Sequence, residues 1–322
     1  MGEVNADGAG PAAHVVLEAD IADLVDLLVG LLRWAGQVAG LPEHEIEQSV
    51  AAKLSFLRHR LTGEFSVDEF GFDEEFAEHV HLTLLRPLFR HWFRVEVVGA
   101  EHLPPEGAAL LVMNHSGTIA FDVLMAQVAV HDHSPTGRWL RLLGADLLFG
   151  SPVLGDLARK AGATLATHAD AAGLLERGHL VGVCPEGFKG VGKPFRDRYR
   201  LQRFGRGGFV AAALRAGAPI IPTAIIGAEE TYPMLANLPQ VAKLLKLPYF
   251  PVTPLFPHLG VLGVVPLPSK WIIQFGPPID TAGLGPADAD DAMLVFELTD
   301  RVRESIQRTV YELLEQRGPA FF

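Results

Sequence analysis

A chain of 322 residues, 49% of them hydrophobic, is long enough for one large domain or a large domain with a small one. Its formal net charge of −11 excludes a general affinity for nucleic acid, and its 33 glycines and 23 prolines fit a compact, loop-rich α/β protein. A single cysteine, Cys184, excludes an intrachain disulfide and points to a reducing compartment.

Residues 1–17, rich in Gly, Ala and Asp, read as a disordered tail without the basic patch and apolar run of a signal peptide. A myristoylation site would need Ser or Thr where Ala6 stands. A helical N-terminal segment follows over 18–92. Ile21, Leu24, Val25, Leu28, Leu31 and Leu32 recur at helical spacing, but the stretch 21–32 is too short to span a bilayer and carries Asp23 and Asp26. After an acidic patch (Asp68, Glu69, Asp73, Glu74, Glu75, Glu78), residues 82–94 are dense in aromatic and basic side chains. Two readings stand for them: a helix at a membrane surface, or a core helix with solvated basic residues.

From residue 93 the rhythm changes. Strands are expected at 95–98, 108–113, 180–184, 219–226 and 270–275, with helices at 123–130, 154–161, 169–177 and 209–216. A long amphipathic helix over 286–317, broken near its start, closes the chain, with Pro286 in its first turn and Gly318 as its stop. Val, Ile and Leu-rich strands separated by helices predict an α/β fold over 93–322: a largely parallel central sheet flanked by helices, with the N-terminal helical segment and the long C-terminal helix attached.

Three of these strands end in, or contain, unusual chemistry. The apolar run Leu110-Leu111-Val112-Met113 stops at Asn114-His115-Ser116-Gly117-Thr118, and Asp122 follows seven residues after the histidine. Cys184-Pro185-Glu186-Gly187-Phe188-Lys189-Gly190 follows the strand at 180–184, and Ile221-Pro222-Thr223 lies in the strand at 219–226. Ligands of open α/β sheets sit beyond the carboxyl ends of strands, so His115 and Glu186 are expected to converge across one crevice. Seven basic residues between Gly187 and Arg206, opposed only by Asp197, form a positive island suited to an anionic ligand or headgroup, or else a set of scattered surface arginines.

The order Asn-His-Ser…Asp, then Pro-Glu-Gly, then Ile-Pro resembles the glycerolipid and lysophospholipid acyltransferase superfamily over roughly residues 94–280. The resemblance implies transfer of a fatty acyl group from acyl-CoA or acyl-carrier protein to a lipid hydroxyl, with no cofactor and no metal. It makes His115 the general base and Asp122 its partner, and makes Glu186 and Gly187 acceptor-binding residues beside Pro222. Ser116, Gly117, Thr118, Phe188, Lys189, Lys193 and Arg203 complete the candidate substrate-binding set.

Two departures follow from the residues themselves. Positions seven apart on a continuous helix lie about 10 Å apart along its axis, so Asp122 reaches His115 only if the loop folds back at Gly117. Otherwise Asp122 is a helix cap and Ser116 or Thr118 orients the imidazole. The segment Gly162 to His168 lacks the arginine that ends the family's second motif, and Phe188-Lys189 replaces its usual Thr-Arg. Phosphate recognition then falls to Lys189, Lys193 and Arg203, or the acceptor carries no phosphate beside the reacting hydroxyl.

Other readings compete with this one. Gly187 to Lys193 matches a P-loop until Pro194 replaces the Mg²⁺-ligating hydroxyl residue. A non-catalytic lipid-binding protein would use the same crevice. Cys184 reads as a small buried side chain, and His79, His81, His131 and His133 as helix-end residues rather than metal ligands. Gly205 to Gly208 either binds an anion at a helix start or permits close packing. Finally, 235–271 is apolar, proline-broken and dotted with Lys243, Lys246 and Lys270. It is expected at a membrane interface on the cytoplasmic face, or as a lid over the acyl pocket, or else as a loop packed on the sheet.

Overall fold

The computed structural model describes residues 42–281 and 283–321, together with 26, 27, 29–34 and 37. The tail expected at 1–17 and most of the 21–32 pattern lie outside the described residues. The chain forms two compact units that divide between Phe65 and Ser66. In the first, the helix Glu43–Thr62 buries Ile46 and Val50 and stops at Gly63, whose φ of +75° is open to glycine without a Cβ penalty.

The second unit starts at Ser66, upstream of the boundary expected at 92/93. The reason is packing: Leu82, Leu85, Phe89 and Phe93 are buried in one core cluster with Met125, Val128 and Ala129. Arg86 sits at the edge of that contact, paired with Glu78 at 2.9 Å and Asp132 at 2.7 Å. Of the two readings of 82–94, the core helix is the one observed, wound as π-helix over Ala77–Leu82 and Leu88–Trp92 on either side of Thr83–Pro87.

Among the described residues nine strands follow: β1 Glu96–Val98, β2 Ala109–Met113, β3 Leu140–Gly144, β4 Ala163–Leu165, β5 Leu180–Val183, β6 Ile220–Ile226, β7 Ala236–Asn237, β8 Pro251–Val252 and β9 Ile272–Phe275. Seven form the central sheet in the order β1-β9-β6-β2-β5-β3-β4, while β7 and β8 make a separate hairpin. All pairs in the central sheet are parallel except β6 with β9. The largely parallel sheet is thus the observed fold. β3 and β4 were not expected. Arg141 interrupts the apolar pattern of β3, yet it is 1% exposed because Asp68 accepts from it at 2.6 Å and Phe72 lies under its guanidinium. β4 has only three residues, too few for a pattern.

The period-2 alternation of β2 divides two cores. Leu110 and Val112 face one cluster with the helices His168–Glu176, Gly208–Ala216 and Ala292–Arg317. Ala109, Leu111 and Met113 face the other, with the helix Phe121–His133. The closing helix is broken as expected: a 3-10 turn spans Pro286–Asp290, and the Asp291 carboxylate then caps the long helix by accepting from Met293 and Leu294.

Candidate active site

Sheet register brings the two main motifs together. Val112 of β2 pairs with Val183 of β5, so the third residue beyond each, His115 and Glu186, emerges at the same edge. The Glu186 carboxylate accepts from the His115 backbone N–H at 2.9 Å. Asn114, buried at the end of β2, exchanges two hydrogen bonds with the backbone of Ile225 in β6, at 2.8 and 2.9 Å. The loop therefore starts from a strand end clamped on both sides.

The seven-residue spacing is resolved by a turn. Gly117 (φ +94°) and Thr118 (φ +63°) reverse the chain, and the helix Phe121–His133 then begins with Asp122 in its first turn. Only glycine fits at 117, because a Cβ there would lie 2.8 Å from the Ala228 carbonyl oxygen. Positive φ is costly for a β-branched residue. At Thr118 it is held by the N–H to Val191 O (3.2 Å), Oγ1 to Tyr232 O (3.0 Å), and the Tyr249 hydroxyl donating to its carbonyl.

Asp122 folds back onto His115. Its Oδ2 lies 2.7 Å from His115 Nδ1 and also accepts from the Ser116 N–H at 2.8 Å. A carboxylate only accepts, so Nδ1 carries the proton and the far nitrogen, Nε2, is the one left to take another. Burial alone would lower the imidazole pKa; Asp122, with a smaller contribution from Cys184, reverses that and holds it well above the ordinary value. Neither Ser116 nor Thr118 orients the ring. The Ser116 hydroxyl is buried with no hydrogen-bond partner among the described residues, and that of Thr118 is engaged with Tyr232.

Glu186 is 3% exposed, and both of its oxygens are engaged. Besides His115 it accepts from the Gln202 N–H, and its Oε2 lies 3.8 Å from Lys193 Nζ. Lys193 is itself buried, pairing with Glu229 at 2.9 Å and donating to Arg200 O at 3.3 Å. Burial raises the Glu229 pKa, and Lys193 opposes that rise. The loop 199–202 is held from the other side by the closing helix. Gln307 bonds Tyr199 O and the Leu201 N–H, each at 2.8 Å, and Arg303 reaches Leu201 O at 3.0 Å. Arg317 pairs with Glu230 at 2.8 Å, and Tyr199 donates its hydroxyl to the same carboxylate.

Of the positive island, Lys193 faces this buried network, whereas Lys189, Arg200, Arg203 and Arg206 are exposed. The P-loop-like stretch packs against the histidine loop instead of forming an open cradle: a Cβ on Gly190 would meet His115 O at 2.6 Å. Gly207 likewise serves close packing, with a would-be Cβ 2.6 Å from Thr299 and Val295. Pro222 lies inside β6, opposite Val112. Cys184 is half-buried beside the imidazole; burial raises its pKa and His115 opposes that. No group of three His, Cys, Asp or Glu among the described residues is arranged to hold a metal.

Residues 118 and 119 open into a cavity of about 270 Å³. Its walls are apolar and aromatic, from Phe188, Tyr232, Tyr249, Phe250, Phe256 and Val264 among others. It lies near the lower end of the roughly 300–1,000 Å³ usual for small-molecule sites. The segment 235–271 supplies most of this wall.

Sequence reasoning overlooked Glu229 and Glu230, although they carry the same signal as His115: ionisable residues at the end of a fully buried strand, β6. It also had no access to Tyr199, Arg303, Gln307 and Arg317, whose roles depend on contacts roughly a hundred residues apart along the chain.

Residues 94–226, which include this loop pair, match the family model described as Acyltransferase. Over 279 residues the chain is 59% identical to an uncharacterized protein of Mycobacterium tuberculosis, covering 87% of this chain and 78% of that protein. It is 24% identical over 220 residues to a Bos taurus protein described as a DGAT1/2-independent enzyme synthesizing storage lipids, covering 68% of this chain and 60% of that protein. The crystal structure of a 1-acyl-sn-glycerophosphate acyltransferase, PlsC, from Thermotoga maritima superposes with a TM-score of 0.46 at 19% identity, covering 83% of this chain and 97% of that one. The motif order, the site they form and the matched span agree: the chain belongs to the acyltransferase family of that model.

Proposed function

We propose that the protein transfers a fatty acyl group from acyl-CoA or acyl-carrier protein to a hydroxyl of a glycerolipid or lysophospholipid, with His115 as general base. The observation that carries this reading is the His115 Nδ1 to Asp122 Oδ2 contact of 2.7 Å, made in a loop that opens into an apolar cavity. Nε2 takes the proton as the acceptor oxygen attacks the thioester carbonyl, and returns it to the thiolate when the tetrahedral intermediate collapses. The products are an ester and a free thiol, with no redox step.

Asp122 and Glu186 are positioning residues in this scheme, the first acting on the ring and the second on the backbone of His115. The cavity takes apolar chain, and Lys189 and Arg203 are exposed cations available to an acceptor phosphate or to the donor. Among the described residues no helix is long and apolar enough to cross a membrane, and the proposed place of work is the cytoplasmic membrane surface.

The test is thiol release from long-chain acyl-CoA across a panel of lysolipid, glycerol phosphate and diglyceride acceptors. Acceptor-dependent release, reduced about 10²- to 10⁴-fold in His115→Ala, is expected. Release untouched by that substitution removes His115 as base. Lipid binding without release from any donor favours the non-catalytic lipid-binding protein.

A further inference from the structure

The described part of this acidic chain contains a region with no acid at all. Not one Asp or Glu lies between Glu230 and Asp280, although the protein has 38 of them. The region does contain Lys243, Lys246 and Lys270. Lys270 lies 3.4 Å from Glu96, whereas Lys243 and Lys246 are exposed.

The same region holds three of the four most exposed large apolar side chains described in the α/β unit. Val261 is 88%, Leu244 81% and Leu262 70% exposed. Leu244 ends the short helix Pro239–Leu244, and Val261 and Leu262 lie on the 3-10 turn Gly260–Val264. These two tips flank one opening. Leu247, just beyond the first, and Val264, at the end of the second, both line the apolar cavity that reaches Thr118 and Ile119. Leu247 and Val264 are themselves exposed on their outer side. A continuous apolar surface therefore runs from two protruding tips into the loop of His115.

We propose that this lobe docks on the surface of an anionic lipid bilayer, with Leu244, Val261 and Leu262 dipping into the interface and Lys243 and Lys246 meeting the headgroups. Exposed apolar residues beside cations, without acids, are the composition that binds such a surface. Charge selects the bilayer over a second copy of the chain. Two such lobes face to face would oppose lysine to lysine, whereas an anionic leaflet attracts them and offsets the repulsion felt by the rest of a −11 chain. Docked this way, the mouth of the cavity faces the membrane, and a lipid acceptor reaches the His115 loop without crossing water. The docking deepens the acyl-transfer reading and rests on it for what enters the cavity.

The test is sedimentation of the full-length chain with phosphatidylglycerol or phosphatidylcholine vesicles at low salt. Two variants are compared with the wild type, Val261→Asp with Leu262→Asp, and Lys243→Glu with Lys246→Glu. None of the four residues lines the cavity or touches the histidine loop. The wild type is expected to pellet with phosphatidylglycerol, and each variant to bind at least tenfold more weakly. Each should keep thiol release from short-chain acyl-CoA with a water-soluble acceptor within twofold. Wild-type protein left in the supernatant overturns the proposal, as do variants that pellet like the wild type. So does sedimentation velocity showing a wild-type dimer that the apolar variant dissolves. Vesicle binding without thiol release from any donor sinks the acyl-transfer reading while the docking stands.

Discussion

The His115 loop is held by two neighbourhoods of opposite chemistry. On one side stand Glu186, Lys193, Glu229, Glu230 and Arg317, buried charges paired with one another at fixed distances. On the other stand Ile119, Tyr232, Tyr249 and the apolar wall, which bond the loop at Thr118 and otherwise line an apolar cavity of about 270 Å³. Directional bonds between buried charges tolerate almost no displacement, because a group that loses its partner keeps its desolvation cost. Dispersion contacts are non-directional and adapt to what fills them. The polar side is thus suited to hold the imidazole in place and the apolar side to accept chains of varied shape.

The largest expected effect breaks the contact between the two. Asp122→Asn should lower the rate of thiol release by about 10²- to 10⁴-fold, the range of a lost general base. Its pH dependence carries a sign. A base works deprotonated, so wild-type activity rises with pH through a His115 pKa held above its ordinary value. In Asp122→Asn that limb should move to lower pH while the plateau falls. The same pair contributes stability that is complete below the unfolded pKa of about 6.5 and is lost as pH rises through the higher folded one. Melting temperature against pH should lose that slope in the variant; an unchanged slope would mean that Asp122 does not charge-stabilise the ring.

Next in size comes the polar network. Lys193→Met leaves Glu186 and Glu229 buried without their cation and should cost about 3–5 kcal/mol. For a unit of this size that is about 10 °C in melting temperature by calorimetry, partly restored when Glu229→Gln is added. A Lys193→Met protein as stable as the wild type, but weaker for a phosphorylated acceptor, would assign the lysine to phosphate binding instead.

The apolar side should yield a smaller and differently shaped loss. Ile119→Ser removes part of the cavity wall and should raise KM for long-chain donors about tenfold, with short-chain donors nearly unaffected. An equal effect on both would place the acyl chain elsewhere. The smallest expected effect is that of Gln307→Ala, which removes two hydrogen bonds from loop 199–202 and should lower kcat about three- to tenfold at constant KM. A change in KM alone would separate the closing helix from the placement of Glu186.

The strands at 108–113, 180–184 and 219–226 were legible because they are short apolar runs bounded by turn residues, and that pattern implied a parallel sheet. β3 and β4 were not. Arg141 is tolerated inside β3 only because Asp68 and two aromatic rings, remote in sequence, receive it. The 82–94 segment was undecidable for a similar reason: its aromatic and basic residues suit either a bilayer or a core until Arg86 finds Glu78 and Asp132.

At the site, local sequence determined which residue types gather at the strand ends, since apolar runs must stop where polar groups reach solvent or a crevice. His115 and Glu186 stood out on that ground, while their roles and that of Asp122 came from the family resemblance. Whether Asp122 reaches His115 was decided by the fold. The reversal at Gly117 and Thr118 is stabilised by Val191, Tyr232 and Tyr249, none of them neighbours in sequence. Tertiary structure likewise turned Lys193 from a free cation into the partner of Glu229, because burial leaves a charge no option but to pair. Sequence sets the chemistry available at each strand end; long-range contacts decide which of those groups meet.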